Sequence, residues 1–124
     1  MLTFSPRTRV YLGVDPADMR KSFNGLFGLV KGTLLEDPLS GHLFVFTNRS
    51  HTRLKILLWD GSGLWVLAKR LEKGTFHWPT AKSASDRSLT MTMAELTLLL
   101  SGIDLATTKS RRWYRRTDSI ASEA

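Results

Sequence analysis

Asp15, Asp60, Glu72, Glu95 and Asp104 are the carboxylates with which this chain could do acid-dependent chemistry. Gathered around a divalent metal, such groups would support phosphoryl transfer. Each also has a local role that needs no metal. Asp15 precedes Pro16 at an expected helix start, and Asp60 opens a turn. Glu95 completes a Thr-x-x-Glu capping box with Thr92. Asp104 follows a helix end, and Glu72 sits among cations. His42, His51 and His77 are widely spaced and lack close ligand partners, so no metal site is expected. With no cysteine in the chain, thiol nucleophiles, disulfides and Cys-based zinc sites are excluded. No G-x-x-x-x-G-K-S/T phosphate loop occurs, and Gly25, Gly28 and Gly32 fall inside a helical pattern. These residues predict neither an enzyme nor a cofactor.

The cations are the more informative set. The formal net charge is +7, from 18 Lys and Arg against 11 Asp and Glu. Arg53, Lys55, Lys69, Arg70 and Lys73 fall at one end of a β-hairpin read from residues 54–74. The loop Thr47-Asn48-Arg49-Ser50-His51-Thr52-Arg53 adds Arg49, an amide and hydroxyls. Such groups bind phosphates, and Arg or Asn also reads base edges. A solvated hairpin loop has the same composition, and the residues alone do not choose between the two. Arg20 and Lys21 would extend the basic face if the first helix packs nearby. In the last part of the chain, Arg111, Arg112, Arg115 and Arg116 bracket Trp113-Tyr114. Cations interleaved with aromatics suit an arm that orders on nucleic acid, or equally a solvated tail. Trp59, Trp65, Phe76 and Trp78 could stack on unpaired bases, but large aromatics more often fill a core.

These side chains need a scaffold. Residues 9–14 predict a first strand. Asp15-Pro16 then predicts an N-cap and first helical position, with Met19, Phe23, Leu26, Phe27, Val30 and Leu34 as a buried stripe. Gly25 and Gly28 are expected to let that helix approach the sheet. Asp37-Pro38-Leu39-Ser40-Gly41 is a turn cluster. Strands are expected at 42–47, 54–59 and 64–71, with the last two joined through Asp60-Gly61-Ser62-Gly63. A short fourth run, 75–78, stops at Pro79, and 80–90 reads as a loop. The capping box at Thr92 opens a second helix carrying Leu96, Leu99, Leu100 and Ile103.

The expected class is α+β: a mainly antiparallel sheet of four to five strands, two packed helices and a flexible basic C-terminal tail. Residues 1–105 are expected to form a single domain and 106–124 the tail. No apolar run approaches the roughly 20 residues that span a bilayer, and residues 1–10 lack a signal-peptide core. A cytoplasmic protein without a membrane partner is expected. An exposed edge strand would allow homo-oligomers.

The segments RVYLGVDPADMRKSFNGL (9–26), DPLSGHLFVFTNRSHTRLKILLWDGSGLWVLAKRLEKGTFHWP (37–79) and LTMTMAELTLLLSGID (89–104) resemble the Orf2-like accessory proteins, often called TnpB, of IS66-type bacterial insertion sequences. The ordered series Asp-Met-Arg-Lys, Ser-Gly-His-Leu-Phe-Val-Phe, Lys-Ile-Leu-x-Trp-Asp-Gly and Ala-Lys-Arg-Leu-Glu carries the resemblance. The tail lies outside it. The resemblance implies a non-catalytic factor encoded beside a larger transposase and supporting movement of the element, with the strand-transfer carboxylates in the larger protein. The expected partners are DNA at the element ends, the transposase, or both. The alternative is a protein-interaction module that docks the transposase without touching nucleic acid.

Overall fold

The computed structural model describes residues 4–102. Among these, five strands form one mixed sheet in the order β4-β3-β2-β1-β5. They are β1 (Val10–Gly13), β2 (Leu43–Thr47), β3 (Arg53–Trp59), β4 (Leu64–Arg70) and β5 (Ser88–Met91). β1 and β2 are parallel, and the other three pairings are antiparallel. Helix α1 (Phe23–Leu29), prolonged by a π-helical turn at Val30–Leu34, lies in the connection between the parallel strands. Helix α2 (Met93–Leu100) follows β5. The architecture is α+β, as the element pattern predicts. The expected tail, 106–124, lies outside the described residues.

Strand alternation divides the core in two. Leu26, Val30 and Leu34 pack with Phe44, Phe46 and Leu57 on the α1 face. Val10, Leu12, Leu43, Val45, Leu54, Ile56 and Leu58 point the other way, toward Leu96 and Leu99 of α2. Phe76 joins this second cluster and is 1% exposed. Covering both faces explains why β2 is buried along its whole length. Each side chain fully removed from water contributes roughly 1.5–3 kcal/mol. At the start of α2, the Thr92 hydroxyl accepts from the Glu95 amide (3.1 Å) and the Glu95 carboxylate accepts from the Thr92 amide (2.9 Å). This is the capping box read from sequence.

Several expectations fail for identifiable reasons. Asp15-Pro16 does not open α1, which begins at Phe23. The Ala17 amide instead donates to the Thr47 carbonyl (2.8 Å), and Asp18 accepts from the Arg20 amide (2.8 Å), folding this stretch against β2. Met19 therefore precedes the helix, and Phe23 is exposed. Residues 75–78 form no strand. They are fixed by the Phe76 amide on the His51 carbonyl (2.7 Å) and by the Trp78 indole N–H on the Gly13 carbonyl (3.0 Å). The extra strand comes from within the expected loop, where Ser88–Met91 pairs with β1. Gly25 and Gly28 do not serve sheet packing either. A Cβ at Gly25 would meet the Lys21 side chain, and one at Gly28 would meet open space. The close approach is at Gly13, where a Cβ would lie 2.9 Å from the Phe46 ring.

The β3–β4 turn is built as expected. Gly61 takes φ +100°, which favours glycine. One Asp60 carboxylate oxygen accepts from the Ser62 and Gly63 amides (both 2.9 Å), and the other accepts from the Trp65 indole N–H (2.7 Å). The Trp65 hydrogen bond, then the two amides, hold the Asp60 carboxyl well below the usual carboxylate range. A carboxyl lowered by folding stabilises fully above its unfolded value, roughly 3.9, and loses that contribution as pH falls through its folded value. Stability from Asp60 is thus constant from neutral pH down to about 5 and declines below. Thermal unfolding of Asp60→Asn against wild type should show a shallower acid limb below that point. Parallel acid limbs would remove Asp60 from the account.

Candidate nucleic-acid interface

The antiparallel register fixes where the hairpin cations go. Arg53 stands opposite Arg70, Leu54 opposite Lys69, and Lys55 opposite Ala68. Side chains alternate along each strand, so Arg53, Lys55 and Arg70 share the α1 face, while Lys69 lies with Leu54 on the α2 face. An open pocket of about 470 Å³ sits at these strand ends, lined among others by Met19, Arg53, Lys55, Arg70 and Glu72. Like charges directly opposite across a sheet cost a fraction of a kcal/mol. The Arg53–Arg70 juxtaposition is offset in part by Glu72, whose carboxylate accepts from the Arg70 guanidinium (3.1 Å) at the same pocket.

The remaining cations are held in different ways. The Lys55 ammonium donates to the Lys21 carbonyl (2.7 Å), joining β3 to the segment before α1. The Lys69 ammonium donates to the Leu100 carbonyl (2.8 Å) in the last turn of α2, where a cation complements the helix dipole. Each lysine keeps two further N–H donors. Among the described residues two ion pairs form, Arg20–Asp18 (2.7 Å) and Arg70–Glu72 (3.1 Å). Both are exposed, so they contribute little to stability. The Arg20 side chain, bonded to Asp18, holds that carboxyl below its ordinary range. Arg49 and Lys73 are exposed on the connections at this end of the sheet. Arg111, Arg112, Arg115 and Arg116 lie outside the described residues.

The loop before β3 is a built element. Asn48 Oδ1 accepts from the Thr52 and Arg53 amides (2.9 and 3.1 Å), and Asn48 Nδ2 donates to the Thr52 hydroxyl (3.0 Å). The Thr47 hydroxyl donates to the Arg53 carbonyl (2.8 Å). His51 adopts φ 57° and stacks on Trp78, with ring centroids 6.0 Å apart. The Asn48 amide is thus occupied in shaping the loop, which sequence alone left open. Of the aromatics, Phe76 is core, Trp59 and Trp78 are half-buried, and Trp65 is 45% exposed.

Among the described residues, no three His, Asp or Glu side chains gather to hold a metal ion. No helix there is long and apolar enough to cross a membrane. Sequence comparison adds an independent line. The family described as "IS66 Orf2 like protein" matches residues 8–110. Two Sinorhizobium fredii (strain NBRC 101917 / NGR234) proteins are similar. Uncharacterized protein y4jC is 38% identical over 113 residues, covering 91% of this chain and 93% of that protein. Uncharacterized protein y4hO is 39% identical over 104 residues, covering 84% and 88%. No solved structure matches. The motifs that span β1 to α2, the α+β fold that arranges them and the family match over residues 8–110 agree: the chain belongs to the IS66 Orf2-like family.

Proposed function

We propose that this protein is an accessory factor of transposition that grips the DNA of its element's ends by their phosphates, at the cationic end of β3 and β4. Family membership makes it an accessory protein of an IS66-type element, associated with that element's transposition machinery. The observation that carries the DNA-binding reading is the facing pair Arg53 and Arg70 beside Lys55, at an open pocket. Guanidinium groups bind phosphate oxygens in bidentate fashion, and a rigid sheet holds them at fixed spacing. Arg49 and Lys73 flank the same end, and Arg20 and Lys21 extend it. Positioning of this kind fixes register on a duplex without reading sequence.

The test is a titration of the full chain against a labelled duplex bearing the element's terminal sequence, over about 50–200 mM salt, with the element's transposase added in a second arm. The expected result is a linear fall of log K with log salt, about 0.9 per phosphate neutralised. Absence of binding at the lowest salt would overturn the proposal. Salt-resistant binding to the transposase alone would replace it with the protein-docking alternative.

A further inference from the structure

We infer that β4 is a pairing edge for a second copy of this chain, the two β4 strands running antiparallel about Leu67. Among the described residues β4 has β3 on one side and no strand on the other. The Leu71 amide donates to the Thr52 carbonyl and the Gly63 carbonyl accepts from the Asp60 amide, so odd-numbered residues of this stretch turn their backbone groups toward β3. By the alternation of an antiparallel ladder, Leu64, Val66, Ala68 and Arg70 present theirs outward. Natural edges are commonly blunted by proline or by a charge in mid-strand. Residues 64–68, Leu-Trp-Val-Leu-Ala, carry neither, and Trp65 and Leu67 are 45% and 38% exposed on the α2 face.

Charge selects the occupant and its direction. β4 is cationic at one end, with Lys69 and Arg70, and has Asp60 bonded to Trp65 at the other. A parallel copy would set cation against cation. An antiparallel copy centred on Leu67 pairs Leu64 with Arg70 and Val66 with Ala68, using every outward amide and carbonyl of the strand. The same register sets Leu67 against its own copy. It also brings Lys69 of each chain beside the Trp65 ring and Asp60 carboxylate of the other, where a cation is attracted to both. A shift of two residues either way drops Arg70 or Leu64 from the ladder and moves Lys69 off Trp65. The chain's own basic run, Lys109 to Arg116, would add like charge at the cationic end and is the poorer occupant.

The wild-type chain lacks cysteine, which allows a direct test on the full-length protein. Leu67→Cys places a thiol at the two-fold axis in a non-hydrogen-bonded pair, where opposing Cα atoms approach to about 4.5 Å, a separation that disulfide geometry accepts. On mild oxidation it should give a disulfide-linked dimer, while Leu35→Cys, 64% exposed and outside the sheet, should form no disulfide-linked dimer. In sedimentation equilibrium the wild type should run at twice the chain mass and Leu67→Arg at the single mass, with unchanged circular dichroism. A monomeric wild type, including one whose edge is covered by residues 103–124, would overturn the proposal. So would equal cross-linking of the two cysteine variants.

Discussion

Phe76→Ala is expected to destabilise the protein by about 3–5 kcal/mol, the range for deleting a buried aromatic ring. Phe76 belongs to no strand or helix, yet it is among the largest fully buried side chains. It packs in the cluster that joins Leu54, Ile56 and Leu58 of the sheet to Leu96 and Leu99 of α2. Its amide donates to the His51 carbonyl, so the ring also anchors the long connection between β4 and β5 to the loop before β3. Truncation leaves a cavity beneath α2 and loosens that anchor together. Against a total stability of about 5–15 kcal/mol, this is a large fraction. Denaturant unfolding should show a lower midpoint at unchanged slope, the signature of lost stability without a change in exposed surface. A loss below about 1 kcal/mol would mean that the connection repacks without the ring.

Arg53→Ala combined with Arg70→Ala should weaken binding to the element-end duplex by about 60-fold at 0.1 M salt and flatten the salt dependence by about 1.8. The two numbers are linked. Each neutralised phosphate contributes about 0.9 to the slope, and wild-type and variant lines converge near 1 M salt. The fold should not suffer. Both side chains are exposed, and removing two facing cations relieves a cross-strand repulsion. Unfolding free energy should therefore stay within about 0.5 kcal/mol of wild type or rise. Lost affinity at intact stability separates a binding surface from a structural one. An unchanged salt slope would remove this pair from the interface.

Much of this surface was legible because local rules determine it. Asp60-Gly61-Ser62-Gly63 sets the hairpin, the hairpin sets the register, and the register places Arg53 opposite Arg70. Alternation in Leu43–Thr47 and Arg53–Trp59 likewise sets the two faces of the core. What escaped the sequence was decided by distant partners. Asp15-Pro16 carries the chemistry of a helix start, but the bond from Ala17 to Thr47 competes for that stretch and wins. Ser88–Met91 shows no strong alternation, because it is a four-residue strand recruited by β1. Phe76 and Trp78 looked like strand residues by type, but the Phe76 amide is held by the His51 carbonyl, the Trp78 amide by the Phe76 carbonyl and the Trp78 indole by Gly13 of β1. The partners of Lys55 and Lys69 are main-chain carbonyls, Lys21 and Leu100, separated from them by 34 and 31 positions. No spacing rule reveals such bonds.

The Asn48 side chain has one consequence for recognition. By accepting from two amides and donating to Thr52, it immobilises the main chain from 48 to 53 before any encounter. The conformational entropy of arranging that loop is lost during folding rather than on association. In the proposed binding mode an incoming phosphate at this loop would have only the rotamers of Arg49 and Arg53 left to freeze, which would favour rigid docking over coupled ordering.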